Sequence, residues 1–459
     1  MNESITLRTV ERIMDRRKFL QRSTSQTVAA SGLAAITRSA SAGKAPASER
    51  IQVGCVGVGG RAGSLLRMFS AQKDVDVVAL ADIDSRRLPA AQETVRQING
   101  KKPTVHGDFR RLVDNPGIDV LVVGTPDHWH AIPTIMACQA GKDVYVEKPD
   151  GHNMLEGQRM VEAMRKHKRI VQMGTQARSG EHFLSAIEYI RTGALGKVLV
   201  AKAWESTRQG SIGHPADGSP PEGVDYDMWL GPAPERAFNP RRFHGHWRWF
   251  FDYGSGDLGN DGVHRLDFAR WALSAAVEAQ GEAPLTLPTK ISALGGKWYF
   301  DDIQEWPDTY QMNYQYESAP GKPGKILTYE MRIWAPYNYY DEGEGAVVYG
   351  DQGYIVLGNR RWRAYGPKHK LLKEGAGNND GSSHVRNFLD CVKSRRKPNA
   401  DLETVGHPTS ILCHAGNVAW RLGRQVELDP KTELFIDDQE ANQLRTRPEY
   451  RKPWLLPEV

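Results

Sequence analysis

Two polar side chains stand where buried-looking stretches of chain begin or end. Lys148 follows Val144-Tyr145-Val146-Glu147 and precedes Pro149, and His264 opens the apolar-periodic run Val263 to Ala275. An ammonium can donate to an oxygen on which negative charge develops, and an imidazole titrates near neutral pH and can accept a proton. Those two abilities suit the oxidation of a hydroxyl, which also needs a hydride acceptor. A site for such an acceptor is written upstream. Ile51 to Val56 reads as a buried strand and runs through Gly57-Val58-Gly59-Gly60-Arg61-Ala62-Gly63 into a helical stretch. This is the G-x-G-x-x-G/A dinucleotide pattern in its strand–turn–helix setting. Gly57 permits the tight turn, Gly59 lets the backbone approach a pyrophosphate, and Ala62 is small enough for helix and sheet to pack. Asp82 ends the next strand, where a carboxylate takes a ribose diol and repels a 2′-phosphate, so NAD is favoured over NADP. Asp84 is an alternative acid, and Arg86 and Arg87 leave NADP open.

The elements that must position these groups alternate. Ile118 to Val123, Val144 to Val146 and Ile170 to Met173 read as strands; Ala131 to Ala140 and Leu155 to His167 read as helices. Strands alternating with helices predict a parallel, doubly wound α/β sheet with ligands at the carboxyl ends of its strands. Thr125, His128, His130, Lys148 and Gln176 lie at or just past such ends. The second half changes character. Val198–Trp204, Lys290–Phe300, Thr309–Tyr316, Ile326–Trp334, Ala346–Tyr349 and Tyr354–Leu357 are β-rich runs bounded by glycine and proline. With helices expected over His384–Val392 and Ser410–Leu422, they predict a mostly antiparallel sheet covered on one side. Residues 207–246, rich in Gly, Pro, Arg and His, are too long for a plain connection and predict an ordered or functional loop.

The pattern resembles the Gfo/Idh/MocA oxidoreductases, the glucose–fructose oxidoreductase and inositol dehydrogenase group. The matching pieces are Gly57-Val58-Gly59-Gly60-Arg61, Thr125-Pro126-Asp127-His128-Trp129-His130, Glu147-Lys148-Pro149, Gln172-Met173-Gly174-Thr175-Gln176 and Gly256 through His264. The resemblance implies a Rossmann domain followed by an α/β domain with a large open sheet that often joins subunits into dimers or tetramers. It implies sugar, inositol or related polyol substrates. It adds Gly60, Arg61, Pro126 and Glu147 to the cofactor-binding set, and gives Lys148 and His264 their catalytic roles. The family pattern Asp-x-x-x-His aligns its histidine with His264 and its acid with Asn260. Asparagine can hold a hydroxyl or the imidazole but cannot take a proton, which opens the reaction type to question; Asp257 and Asp261 are nearby acids.

Further polar residues divide between site and scaffold. His128 and His130 either contact nicotinamide or substrate, or cap the helix that follows. Arg178, His182, Asp252, Tyr253 and Asp257 are candidate substrate contacts. Phe243-His244-Gly245-His246 carries no carboxylate or cysteine at ligand spacing, so no metal is expected. Cys55, Cys138, Cys391 and Cys413 show no C-x-x-C spacing and read as buried thiols. Trp204, Trp247, Trp249, Trp298 and Trp334 could stack on sugar faces, though core packing accounts for most such rings.

At the N-terminus, Asp15-Arg16-Arg17-Lys18-Phe19-Leu20, a mild apolar stretch Val28 to Ile36, and Ala40-Ser41-Ala42 follow one another as in a twin-arginine (Tat) export signal cut after Ala42. No stretch reaches the 18 or so consecutive apolar residues that suggest a membrane span. The 459-residue chain carries a formal charge of +5. Residues 1–42 hold seven basic and three acidic residues, so the remainder is +1 and gives no electrostatic reason to expect nucleic acid. The expected organisation is a Tat signal (1–42), an NAD(P)-binding Rossmann domain (43–175) and a substrate and oligomerisation domain (176–459). The expected protein is a periplasmic or otherwise extracytoplasmic oxidoreductase acting on a secondary hydroxyl of a sugar or polyol. Because free NAD is scarce outside the cytoplasm, its cofactor is expected to be tightly held, and the mature form to be a homodimer or homotetramer off the membrane. A redox-neutral glycosidase using the same cofactor, and a non-catalytic sugar-binding protein, are the alternatives.

Overall fold

The computed structural model describes residues 49–318, 320–378 and 381–459. The expected export signal at 1–42 lies outside the described residues. Six strands build the first sheet: β1 (Ile51–Val56), β2 (Val75–Ala81), β3 (Thr104–His106), β4 (Val120–Val123), β5 (Asp143–Val146) and β6 (Val171–Met173). They are all parallel, in the order β3-β2-β1-β4-β5-β6. Every residue of β4 and β5 is buried, as a sheet covered on both faces requires. The order reverses between β1 and β4, and this switch point opens a crevice at the carboxyl ends of the strands.

The second sheet has nine strands: β7 (Val198–Ser206), β8 (Lys290–Gly296), β9 (Thr309–Tyr316), β10 (Lys325–Arg332), β11 (Glu344–Gly350), β12 (Tyr354–Gly358), β13 (Arg361–Tyr365), β14 (Leu371–Ala376) and β15 (Val426–Glu427). The order is β14-β13-β12-β11-β7-β10-β9-β8-β15. Only β7 and β10 pair in parallel. Its faces differ because its residues alternate: along β9, Tyr310, Met312, Tyr314 and Tyr316 are buried while Gln311, Asn313 and Gln315 are exposed. Helices Val263–Ala279 and His407–Leu422 cover the buried face. The protein is thus α/β, a Rossmann sheet joined to a mostly antiparallel open sheet.

Two segments cross the expected boundary at 175/176. Helix Ser382–Ser394 does not cover the large sheet. Its Val385, Phe388 and Leu389 join the core of the first sheet, where Phe388 lies edge-on to Phe69 and Tyr145 at 6.2 and 5.8 Å. Near the C-terminus, Trp454 packs on Trp129 at 4.8 Å and on Phe109. The 207–246 segment is ordered and forms a strap: the Ser85 amide donates to Gly223 O and the Asp225 amide to Ile83 O, both at 2.9 Å. Beyond these bonds it folds into the short helix Tyr226–Leu230, whose cap is the Asp225 side chain.

Candidate active site

The crevice at the switch point is a cleft of about 520 Å³, a volume typical of cofactor and substrate sites. Gly57, Gly59, Gly60, Arg61 and Asp82 line it. Gly57 has φ +82°, and a Cβ there would sit 2.9 Å from Gly124 O, so turn and packing both demand glycine. Asp82 accepts the Val58 amide through Oδ2 and the Asp84 amide through Oδ1, each at 2.9 Å. Burial raises its pKa, against those two bonds. Arg61 Nε donates to Glu147 Oε1 at 2.8 Å and ties the helix of the glycine loop to the end of β5. A glycine cradle crowded at Gly57 and Gly59, a helix N-terminus at Gly60 and a carboxylate at the end of β2 fit a dinucleotide.

The same cleft carries the reactive groups. Thr125, Pro126, Glu147, Lys148, Gln176, Asn260 and His264 all line it. Lys148 Nζ donates to Asn260 Oδ1 at 3.1 Å and to the Asn260 carbonyl. Asn260 Nδ2 in turn donates to Asp257 Oδ1 at 3.0 Å and Asp261 Oδ2 at 3.1 Å. Residues Leu258–Gly262 form a π-helical turn that leads directly into the helix begun by Val263. Burial, then the charges of Lys148, Arg265 and Arg61, push His264 well below the usual imidazole range, so it is neutral at pH 7.

Behind this wall, the buried Glu205 and Asp257 each bring an oxygen within 4.8 Å of one another and of Asp261, which itself lines the cleft. Burial, then the neighbouring carboxylates of Asp257 and Asp261, raise Glu205 well above its ordinary range. Asp257 also accepts from Gln209 Nε2 at 2.7 Å. The histidines of 243–246 are spent separately: His244 Nε2 lies 3.0 Å from Asp84 Oδ2, and His246 Nε2 lies 3.2 Å from Arg241.

Several expected contacts are placed elsewhere. His128 and His130 are each 1 % exposed and do not line the cleft. His128 is within hydrogen-bond reach of the Trp229 and Tyr253 carbonyls at 2.8 and 3.3 Å. His130 reaches the Pro149 and Thr125 carbonyls at 2.6 and 2.9 Å, bracing the ends of β4 and β5 against each other. Arg178 is buried in a forked pair with Asp267 at 2.7–3.0 Å. His182 is buried against Phe183, and Tyr253 is buried between His128 and Trp229. Asp252 pairs with Arg236 at 2.8 Å, and Asp257 lies fully buried behind Asn260. None of these lines the cleft; all serve the scaffold around it.

Sequence reasoning passed over other lining residues. Asp127 is buried on the cleft wall, and burial raises its carboxyl to about 7, opposed by Lys148 and by the Ser255 hydroxyl that donates to Oδ2 at 3.0 Å. Its signal was its place after Thr125-Pro126, where the two histidines drew attention instead. Trp229, His244, Trp247 and Arg248 come from the chain between β7 and helix Val263–Ala279. Of the tryptophans weighed as sugar platforms, Trp204 and Trp249 are core, Trp247 lines the cleft, and Trp298 is 72 % exposed.

A glycine-cradled crevice at a Rossmann switch point, with a lysine on its reactive wall, defines a nucleotide-dependent oxidoreductase class. Residues 51–175 match the family described as an oxidoreductase family, NAD-binding Rossmann fold. Residues 199–318 and 341–456 match the same family's C-terminal alpha/beta domain. The chain belongs to the Gfo/Idh/MocA oxidoreductase family. Among curated proteins it is similar to glycosyl hydrolase family 109 protein 1 of Shewanella sp. strain ANA-3, 28 % identical over 163 residues, 35 % of this chain and 36 % of that protein. The chain thus spans about a third of the length of the curated relatives it matches. Among solved structures it is similar to the aldose-aldose oxidoreductase of Caulobacter crescentus complexed with glycerol, with a TM-score of 0.62, 21 % identity, and 83 % and 100 % of the two chains covered. It is also similar to levoglucosan dehydrogenase complexed with NADH and levoglucosan, with a TM-score of 0.62, 16 % identity, and 82 % and 99 % covered. The WlbA dehydrogenase of Bordetella pertussis, complexed with NADH and UDP-GlcNAcA, gives 0.59, 16 %, 83 % and 99 %. At these identities the structures share the fold.

Proposed function

We propose that the protein oxidises a secondary hydroxyl of a sugar or polyol with NAD as the hydride acceptor. The observation that carries this reading is one cleft lined both by the glycine cradle and Asp82 and by Lys148, Asn260 and His264. Gly57, Gly59, Gly60 and Asp82 would hold the dinucleotide, Asp82 favouring the ribose diol of NAD over a 2′-phosphate. A bound nicotinamide supplies a hydride acceptor. Lys148 donates to the substrate oxygen as it gains carbonyl character. His264, neutral, orients the hydroxyl through a hydrogen bond. Trp247, on the cleft wall, offers apolar ring surface for the C–H patches of a sugar.

The strap formed by 223–225, with His244 on Asp84, crosses beside Asp82 and supports a tightly held cofactor recycled in place. The twin-arginine pattern at 15–20 supports export into an extracytoplasmic compartment such as the periplasm. The outer face of the large sheet leaves Val200, Ile326 and Tyr349 exposed, which supports a homodimer or homotetramer through that face.

A second reading, a redox-neutral glycosidase, is favoured by one specific observation: Asn260 stands at the family's acidic position, and the curated relatives named above are glycosyl hydrolases. One experiment separates the readings. The purified protein is analysed by mass spectrometry for bound nicotinamide cofactor, then offered sugars, polyols and aryl glycosides. Net cofactor reduction supports the dehydrogenase; release of the aryl group without net reduction supports the glycosidase. Absence of bound cofactor together with no affinity for added NAD(H) or NADP(H) refutes both and leaves a sugar-binding protein.

A further inference from the structure

A hydroxyl that loses hydride must also lose a proton, and the acid of the Asp-x-x-x-His pattern is missing at residue 260. Asn260 cannot take it, and its amide is fully committed. Nδ2 donates to Asp257 and Asp261, which fixes Oδ1 toward Lys148. Lys148 serves as a donor here. Asp127 is only 3 % exposed, and its Oδ2 takes the Ser255 hydroxyl. A proton on His264 would place a second positive charge beside Lys148, with Arg265 and Arg61 also near.

Asp261 is the remaining group. In a regular α-helix, neighbouring residues point about 100° apart and do not share a face. Leu258–Gly262 is instead a π-turn, which fits an extra residue into the turn. Both Asn260 and Asp261 consequently line the same cleft as Lys148 and His264. Asp261 gives one hydrogen bond's worth of Oδ2 to Asn260, and a carboxylate has about four acceptor positions, so capacity remains on the cleft side. Behind it, Glu205 and Asp257 are fully buried.

Resting on the proposed oxidation of a hydroxyl, we propose that Asp261 is the proton acceptor of the site, taking over the role that Asn260 cannot perform. The substrate C–H bond breaks with its electron pair going to NAD⁺. The O–H bond breaks with its proton going to a carboxylate oxygen of Asp261. The C–O bond becomes C=O, and the reverse step returns both. The charged and titratable groups facing Asp261 are Glu205 from β7, Asp257 in the preceding turn, Lys148 at the end of β5, His264 and Arg265 on the following helix, and Arg248 on the cleft wall.

The test uses the holoprotein and a panel of D-glucose, N-acetyl-D-galactosamine, myo-inositol and their 4-nitrophenyl glycosides where these exist, with NADH affinity measured by fluorescence in every variant. On the best substrate, Asp261→Asn is expected to lower kcat about 10²–10⁴-fold, leaving KM and NADH affinity within about threefold, and to remove the acidic limb of the kcat–pH profile. Moving the carboxylate back, in Asn260→Asp/Asp261→Asn, is expected to recover at least tenfold of that loss. Should Asp261→Asn fail to bind NADH, Asp261→Glu decides: an NADH-binding glutamate variant with an altered acidic limb supports the role, and one with an unchanged limb overturns it. The proposal alone is overturned if Asp261→Asn keeps kcat within threefold, or if the acidic limb disappears in Asp127→Asn or His264→Asn instead. If the unmodified holoprotein turns over no member of the panel, the proposed function falls and this inference with it.

Discussion

His407→Gln is expected to destabilise the protein by about 3–5 kcal/mol at pH 6.5, the cost of leaving one member of a buried ion pair without its partner. His407 is 3 % exposed; its Nδ1 lies 2.6 Å from Asp150 Oδ2 and its Nε2 2.9 Å from Glu433 Oε2. Burial alone would lower the imidazole, but Asp150 and then Glu433 outweigh it and raise the ring from 6.5 to about 10. A rise of that size corresponds to about 5 kcal/mol favouring the charged ring, an upper bound consistent with the range above. The folded value exceeds the unfolded one, so this stabilisation is complete below pH 6.5 and is lost as pH climbs toward 10. Glutamine fills the space and keeps a hydrogen bond but leaves the fully buried Asp150 with no cation. Urea unfolding followed by tryptophan fluorescence measures both effects. The parent should lose stability between pH 7 and 10, and the variant should lose much less. Asp150 is two residues past Lys148, and its amide is held by Ser410 Oγ at 3.1 Å, so the variant should also bind substrate less well through a loosened Lys148. A variant within about 1 kcal/mol of the parent at pH 6.5, or one with the parent's pH slope, would refute the reasoning.

Lys148→Met should lower kcat at least about 100-fold while NADH affinity, followed by fluorescence, stays near that of the parent. Gly57→Ala places a side chain at φ +82° and 2.9 Å from Gly124 O, so calorimetry should show a loss of at least about 1–2 kcal/mol, with weakened NAD binding. Asp127→Asn should stabilise the protein by about 1–3 kcal/mol at pH 8 and by little at pH 4. The reason is that the folded carboxyl is raised to about 7, so stability is lost as pH rises from the ordinary value of 3.8 to about 7, and the loss is complete above that. Replacing Asp82 with alanine should weaken NAD about 10-fold or more and narrow its advantage over NADP in equilibrium titrations.

The parallel half of the fold was legible because β1, β4 and β5 are apolar runs ended by glycine, proline or polar residues, and the glycine spacing fixed what followed β1. Much of the large sheet was legible too, from segments such as β9 that alternate strictly. Strands β13 and β14 were not, because Arg361-Trp362-Arg363 and Leu371-Leu372-Lys373-Glu374 are short and charged, and β14 is largely exposed at the sheet edge. Helix Ser382–Ser394 was anticipated as a helix, but amphipathicity says that a face is buried and not against what. Within the site, the motif residues Gly57, Asp82, Lys148, Asn260 and His264 do meet in one cleft. His128, His130 and Arg178 look identical in sequence to functional groups; only their carbonyl and carboxylate partners, distant in the chain, mark them as struts. Asp261 was named only as a nearby acid for a related reason: a π-turn has no signature in residue type, and under regular helical spacing the residue faces away from Asn260.

The return of helix Ser382–Ser394 to the first sheet sets an order of events in biosynthesis. When residues 51–175 leave the ribosome, Phe69 and Tyr145 have no Phe388 to lie against. Their cover arrives roughly 200 residues and, at about 5–20 residues per second, tens of seconds later. The nucleotide half is therefore finished by the last fifth of the chain, and a premature stop anywhere before residue 382 leaves a half-domain with exposed aromatic surface for chaperones and proteases to handle.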